Sequence, residues 1–330
     1  MEPSPPSSLP GPLAPRSSGR KPKLPRELAL LAVVLVTIVV CSILFPVSFR
    51  SEANFQAVLR NLAVDGILAV GMMVLLIAGV FDLSVGSAMS MAGVLVGWLL
   101  KAKGWPISAA IPAGLAVGAL GGFFNGIVVA KVRVNALIAT LATMGIFQGV
   151  AILIGGPGIT LLPESFTRLG QSEILGVQMP VWIMLGLALV SHYLLRHTRF
   201  FRLYYYIGSN TKAARLSGIN VERMQVIGFT FMGLIAAVAG IAFAARVGSA
   251  VSNAGLGSEL RVITAVILGG ASLTGGKGTI WGAMLGVAFM ALINNVLIIA
   301  QVSSYWQGIV LGAVLILAVS LDSLLNPKRE

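Results

Sequence analysis

The chain has 330 residues, 57% of them hydrophobic and only 10% charged, and carries a formal net charge of +12. A soluble domain carries about 25% charged residues, so a water-facing surface of ordinary size is excluded. Neither nucleic-acid nor lipid-headgroup binding is expected from the charge, because the cations do not gather on one face; they sit at the ends of apolar blocks, the pattern of the positive-inside rule.

Residues 1–26 are rich in Pro and Ser, carry Arg16, Arg20, Lys21, Lys23 and Arg26, and lack apolar periodicity. They are expected to form a disordered cytoplasmic tail. LALLAVVLVTIVVCSILF (28–45) follows, 18 residues without a charge. It is a transmembrane helix candidate. Its length, and the many similar blocks after it, argue against a cleaved signal peptide. The single cysteine, Cys41, lies in this block and reads as a small apolar residue; one cysteine allows no disulfide within the chain.

Ten hydrophobic segments are read in all, at 28–46, 58–80, 84–100, 107–130, 135–155, 180–195, 224–245, 260–273, 279–300 and 305–325. The third and eighth are short and border glycine-broken stretches, so broken or re-entrant helices are expected there. The fold class is an all-α polytopic membrane protein of about ten transmembrane or re-entrant helices, with one transmembrane domain over 27–330. With the N-terminus inside, ten spans return the C-terminus to the cytoplasm. That arrangement puts 16 of the 23 Lys and Arg residues inside and 7 outside, in keeping with the charge rule.

Two stretches resemble each other weakly. IAGVFDLSVGS (77–87) and ILGGASLTGGK (267–277) share Ile77/Ile267, Gly79/Gly269, Leu83/Leu273 and Gly86/Gly276. Each reads as a helix, a polar break and another helix, as in the internal repeats of transporters.

GGASLTGGKGT (269–279) invites a nucleotide-binding reading. A Walker loop requires G-x-x-x-x-G-K-[ST]. With Gly276 and Lys277 as the GK pair, Ala271 stands where the first glycine belongs and Gly278 where the hydroxyl belongs. The stretch is better read as a glycine-broken helix with close backbone approach. Leu216–Gly218 carries an LSG triplet without the rest of any ATPase domain. His192 and His197 have no companions spaced for a metal site and read as interfacial histidines.

Four blocks carry a resemblance. GILAVGMMVLLIAGVFDLSVGSAMSMAG (66–93), NGIVVAKVRVNALIATLATMGIFQG (125–149), YIGSNTKAARLSGINVERMQ (206–225) and AVILGGASLTGGKGTIWGAMLGV (265–287) occur in this order. Together they resemble the membrane permeases of ribose-type ABC importers, in the branched-chain amino acid/ribose permease superfamily. Phe81, where an aliphatic residue is usual, and the Pro/Ser-rich tail depart from the pattern. The resemblance implies a multi-pass protein of the bacterial inner membrane that moves a sugar or related polyol by alternating access. It implies a cytoplasmic ABC ATPase, a periplasmic or lipid-anchored sugar-binding protein, and a second permease subunit, identical or paralogous, all set in membrane lipid. No cofactor is expected on this chain; ATP and Mg belong to the partner ATPase, and this subunit is not an enzyme.

The loop 196–223 is the longest polar connector predicted to face the cytoplasm. Its stretch NTKAARLSG reads as a short helix, with Asn210 or Thr211 to cap its start and Gly218 to end it. By resemblance, Gly208, Asn210, Ala213, Ala214, Leu216, Gly218 and Ile219 form the coupling helix that docks on the ATPase. A basic loop that only enforces topology is the simpler reading. Asp82 is the most unusual charge. It reads as a helix cap, or as a contact to substrate or ion, with Ser84, Ser87 and Ser90 nearby. Asn125, Thr140, Thr143, Gln148, Asn294 and Asn295 are polar residues inside spans. They suit sugar hydroxyls, and equally suit hydrogen bonds between helices. An ion-coupled secondary transporter is the alternative function; Asp82 is its one good candidate for a coupling carboxylate. A membrane enzyme lacks any constellation of His, Asp, Glu or Cys inside the spans.

Overall fold

A computed structural model describes residues 26–325; the predicted disordered tail, Arg26 apart, lies outside the described residues, as do Lys328 and Arg329. Each of the ten predicted segments coincides with a helix. They are α1 (Arg26–Leu44), α2 (Glu52–Ile77), α3 (Val85–Lys101), α4 (Ile107–Ala130), α5 (Ala136–Gly155), α7 (Met179–His197), α10 (Val221–Val247), α11 (Ser258–Leu268), α12 (Ile280–Ile299) and α13 (Ser304–Leu325). The sequence reading missed α6 (Glu164–Gln171) and α8 (Arg199–Ser209), whereas α9 (Thr211–Leu216) is the short helix expected in the long basic loop. Four two-residue strands pair as two antiparallel ribbons: β1 (Gly158–Ile159) with β4 (Ala250–Val251), and β2 (Glu173–Ile174) with β3 (Val177–Gln178).

Seven of the described helices, α1, α2, α4, α5, α7, α10 and α12, are long and apolar enough to cross a membrane. α3 has 17 residues and α11 has 11. At 1.5 Å per residue α11 covers about half of a hydrocarbon core of ~30 Å. It also starts inside the protein, at buried Ser258 and Glu259, so it is a half-helix, the geometry expected of the eighth segment.

α2 and α10 lie at the centre of the bundle. Every residue of α2 from Gly66 to Ile77 is buried, as expected for a helix that is apolar all round. α1 lies at the edge, with Leu35, Val36 and Ile43 exposed; in a membrane protein those side chains face lipid.

Small residues set the helix spacing. Gly114, Gly118, Gly122 and Gly126 recur every four residues on one face of α4. Side chains at 118, 122 and 126 would run into the α10 backbone at Gly233, Phe229 and Val226. This is the small-residue packing that lets membrane helices touch backbone to backbone.

The connectors meet in two groups, as alternating spans require. At one end, here called the basic end, Gly276 donates its amide to the carbonyl of Ile77 (2.8 Å), and Thr279 donates its hydroxyl to Glu27 (3.0 Å). At the opposite end the ammonium of Lys101 donates to the carbonyls of Thr160 and Leu161, and Asn54 and Asn295 exchange hydrogen bonds (3.2 and 2.6 Å).

Candidate functional site

Three constructions hold polar or strained groups in the bundle. The first is a buried triad near the basic end. The Asp82 carboxylate accepts the amide and hydroxyl of Ser84 (2.7 and 2.6 Å) and an amide hydrogen of Asn125 (3.2 Å), which also donates to the Ser84 hydroxyl (2.9 Å). All three residues are buried. Asp82 thus organises the turn between α2 and α3 and ties it to α4. The amide it accepts belongs to Ser84, the residue at the N-cap position of α3. A direct N-cap would have taken an amide of the first helical turn. Asn125 Oδ1 is buried without a partner.

The second construction joins three connectors. The break after α2, the end of α8 and the loop between α11 and α12 meet at Gly79, Gly208 and Gly275–Gly276. A Cβ on Gly275 would lie 2.8 Å from the Gly208 Cα and 2.9 Å from the Gly79 Cα; one on Gly208 would run into the Ile77 carbonyl and the Gly276 amide. Gly275 and Gly276 have φ of 88° and 73°, in the region that glycine alone adopts freely. The two weakly similar stretches therefore lie against each other, with α8 in contact with both. The loop that suggested a nucleotide site joins helix to helix, and Thr279 caps α12 by accepting the Gly282 amide (3.0 Å).

α8 and α9 carry the junction to the surface. Thr198 caps α8 by accepting the Phe201 amide. Tyr204 and Ile207 are buried under it, with the Tyr204 hydroxyl on the Met224 carbonyl (3.0 Å) and the Tyr205 hydroxyl on the Gly278 carbonyl (2.9 Å). Phe201, Tyr204 and Ile207 recur every third residue, a helical signal present in the sequence. Asn210 is the cap of α9, accepting the Ala213 amide (2.9 Å), and Gly218, with φ of 83°, follows the helix end. Of the candidate coupling residues, Ala214 is buried, Ile219 is half-buried, and Ala213 and Leu216 face outward. Leu216, at 90% exposure, is the most open apolar side chain of this segment.

The third construction is a cavity of about 410 Å³ at the opposite end, between α2, α10, α11, α12 and α13. Asn61, Asp65, Arg246, Arg261, Asn294 and Gln307 line it, with Met89 among its apolar walls. Arg261 pairs with Asp65 and donates to the Ser258 hydroxyl (2.7 Å). A volume in this range suits a small ligand, and a few convergent polar groups suit an orientable one.

Of the candidate path residues, Asn294 alone lines this cavity. Asp82, Ser84 and Asn125 are gathered in the triad. Thr140 and Thr143 return their hydroxyls to their own helix, to the carbonyls of Ala136 (2.8 Å) and Thr140 (3.2 Å). Gln148 donates to the Ser252 carbonyl (3.0 Å), joining α5 to the turn after β4. Asn295 pairs with Asn54. The sequence reading singled out neither Asp65, inside the second predicted segment, nor Arg261, at the start of the eighth.

The family described as branched-chain amino acid transport system / permease component matches residues 54–319. The ribose import permease protein RbsC of Escherichia coli K12 is 41% identical over 300 residues, 89% of this chain and 92% of that protein. The protein of the same name in Haemophilus influenzae Rd is 37% identical over 302 residues, 90% of this chain and 93% of the relative. The autoinducer 2 import system permease protein LsrC of Salmonella typhimurium LT2 is 35% identical over 303 residues, 90% and 85% of the two chains. No solved structure matches the chain.

Proposed function

Because the chain belongs to the branched-chain amino acid transport system / permease component family, we propose that it is the translocation subunit of an ABC importer in the bacterial inner membrane, carrying a sugar or related polyol. Relatives named as ribose and autoinducer 2 import permeases, at 41% and 35% identity, support this reading over an ion-coupled carrier. ATP is bound with Mg and hydrolysed on a partner ATPase at the basic end, which faces the cytoplasm together with both chain termini. A sugar-binding protein delivers solute at the opposite end, and a second permease subunit completes the path.

The observation that carries the mechanism is the contact of Gly208 with the breaks after α2 and after α11. A push on α9 by a docked ATPase reaches the interior through backbone atoms, which cannot yield as side chains do. One break holds the Asp82 triad, whose amide acceptor on Asn125 is unmet in this conformation. The other ends the half-helix α11, whose first turn forms the cavity wall at Arg261. The amides of Asn61, Asn294 and Gln307, beside the Asp65–Arg261 pair and the Arg246 guanidinium, suit a polar solute rich in hydroxyls. Uptake in cells that maintain ATP while an uncoupler dissipates the proton gradient tests the proposal. Preserved uptake is expected; its collapse would return the ion-coupled reading.

A further inference from the structure

A second cavity, of about 470 Å³, opens at the basic end between α7, α8 and the start of α12. Its polar lining is His192, Arg196, Arg202, Tyr205, Tyr206 and Thr279. Neither of its guanidiniums meets a carboxylate in the lining. At the cavity's edge Glu27 accepts the Thr279 hydroxyl (3.0 Å). Arg202 is held in place: its Nε donates to the Arg196 carbonyl (2.9 Å) at the end of α7. Two like charges are thus kept at one open cavity, an arrangement that an anion stabilises.

The surroundings say which kind of anion. His192 lies with its ring centroid 5.9 Å from that of Trp281, on α12. Tyr193 stacks on His197 at 4.8 Å. Trp and Tyr of this kind collect where a membrane meets water. Leu189 and Tyr193 precede Arg196 at helical spacing on the same face of α7 and are exposed, at 56% and 60%. The cavity therefore continues into an apolar, lipid-facing stripe. Basic pockets between spans at the cytoplasmic surface are where acidic lipid headgroups bind.

We propose that this cavity holds the phosphate of an anionic glycerophospholipid, with Arg196 and Arg202 as its charge partners and the acyl chains lying along the exposed face of α7. The inference needs only the membrane placement of the spans; it stands apart from the identity of the transported solute. The lipid would brace α8, and with it the Gly208 junction, against α7 and α12.

The test is retention of added lipid by the full chain in neutral detergent, read by native mass spectrometry. Phosphatidylglycerol and phosphatidylcholine are the probes, with inorganic phosphate as competitor. Preferential retention of phosphatidylglycerol is expected, falling about fivefold for each arginine neutralised, about 1 kcal/mol apiece, in Arg196→Gln and in Arg196→Gln/Arg202→Gln. Equal retention of the two lipids by the wild type overturns the proposal without any variant having to fold. So does a preference unchanged in both variants. Displacement of the lipid by millimolar inorganic phosphate would overturn it in favour of a free-anion site.

Discussion

Asp65 on α2 and Arg261 on α11, 196 positions apart in the chain, are joined by hydrogen bonds from Nε to Oδ2 (3.2 Å) and from Nη2 to Oδ1 (3.4 Å). The side chains are 23% and 29% exposed, so the pair is neither freely solvated nor fully desolvated. It fixes the first turn of the half-helix to the central helix at the wall of the 410 Å³ cavity. Arg261→Gln and Asp65→Asn are each expected to slow uptake and to destabilise the protein by about 1–2 kcal/mol. The doubly neutral variant should lose less than the sum of the two, because neither charge is then left alone. Uptake assays and thermal melts of the four proteins check this; strict additivity would show that the pair is not coupled.

Asp82 meets three donors, so its removal should be felt first in stability. Asp82→Ala strands the Ser84 amide in the interior and leaves the Asn125 amide only its bond to the Ser84 hydroxyl, at about 1–3 kcal/mol for a buried donor left unpaired. Asp82→Asn keeps the shape and should lose less. A contact to solute alone would instead alter the KM for uptake and leave the melting temperature unmoved in both variants.

Gly208→Ala places a methyl group against the Ile77 carbonyl, and Gly275→Ala adds a left-handed backbone penalty to a clash with Gly79 and Gly208. Both are expected to keep the chain in the membrane and to separate ATP hydrolysis from uptake. The measurement is solute moved per ATP hydrolysed in the assembled importer; an unchanged ratio would remove the junction from the coupling route.

Leu216 and Ala214 differ by two positions and by their surroundings. Leu216→Glu alters an exposed side chain and should weaken ATPase docking at near-normal stability. Ala214→Glu buries a charge at a site only 4% exposed, so it should unfold the α8–α9 segment. Co-purification of the ATPase, read beside thermal melts, separates the two effects.

The ten apolar segments were legible because long apolar blocks between charged ends admit one reading in a membrane chain. The Asn210 cap and Gly218 were legible because capping chemistry is local. α8 escaped because Phe201, Tyr204 and Ile207 sit beside Arg196, Arg199 and Arg202 and a charge count treats that segment as loop. The Asp65–Arg261 pair escaped for another reason. Its partners are 196 residues apart, and only the packing of α2 on α11 brings them together. The path residues divide in the same way: a polar side chain inside a span announces a hydrogen bond, and the tertiary fold decides whether it goes to its own helix, as in Thr140, or across, as in Gln148 and Asn295.

The glycine ladder of α4 limits which parts of the bundle can move. Shifting α4 by one residue against α10 would bring Ala119, Phe123 and Ile127 toward seats shaped for hydrogen atoms alone. The two helices are geared to each other in one setting, and they turn as a single strut. By the same measure α11 is seated on α12, where a Cβ on Gly286 would run into the Ala265 carbonyl and one on Gly282 into the Gly269 carbonyl, so the bundle holds a second such strut.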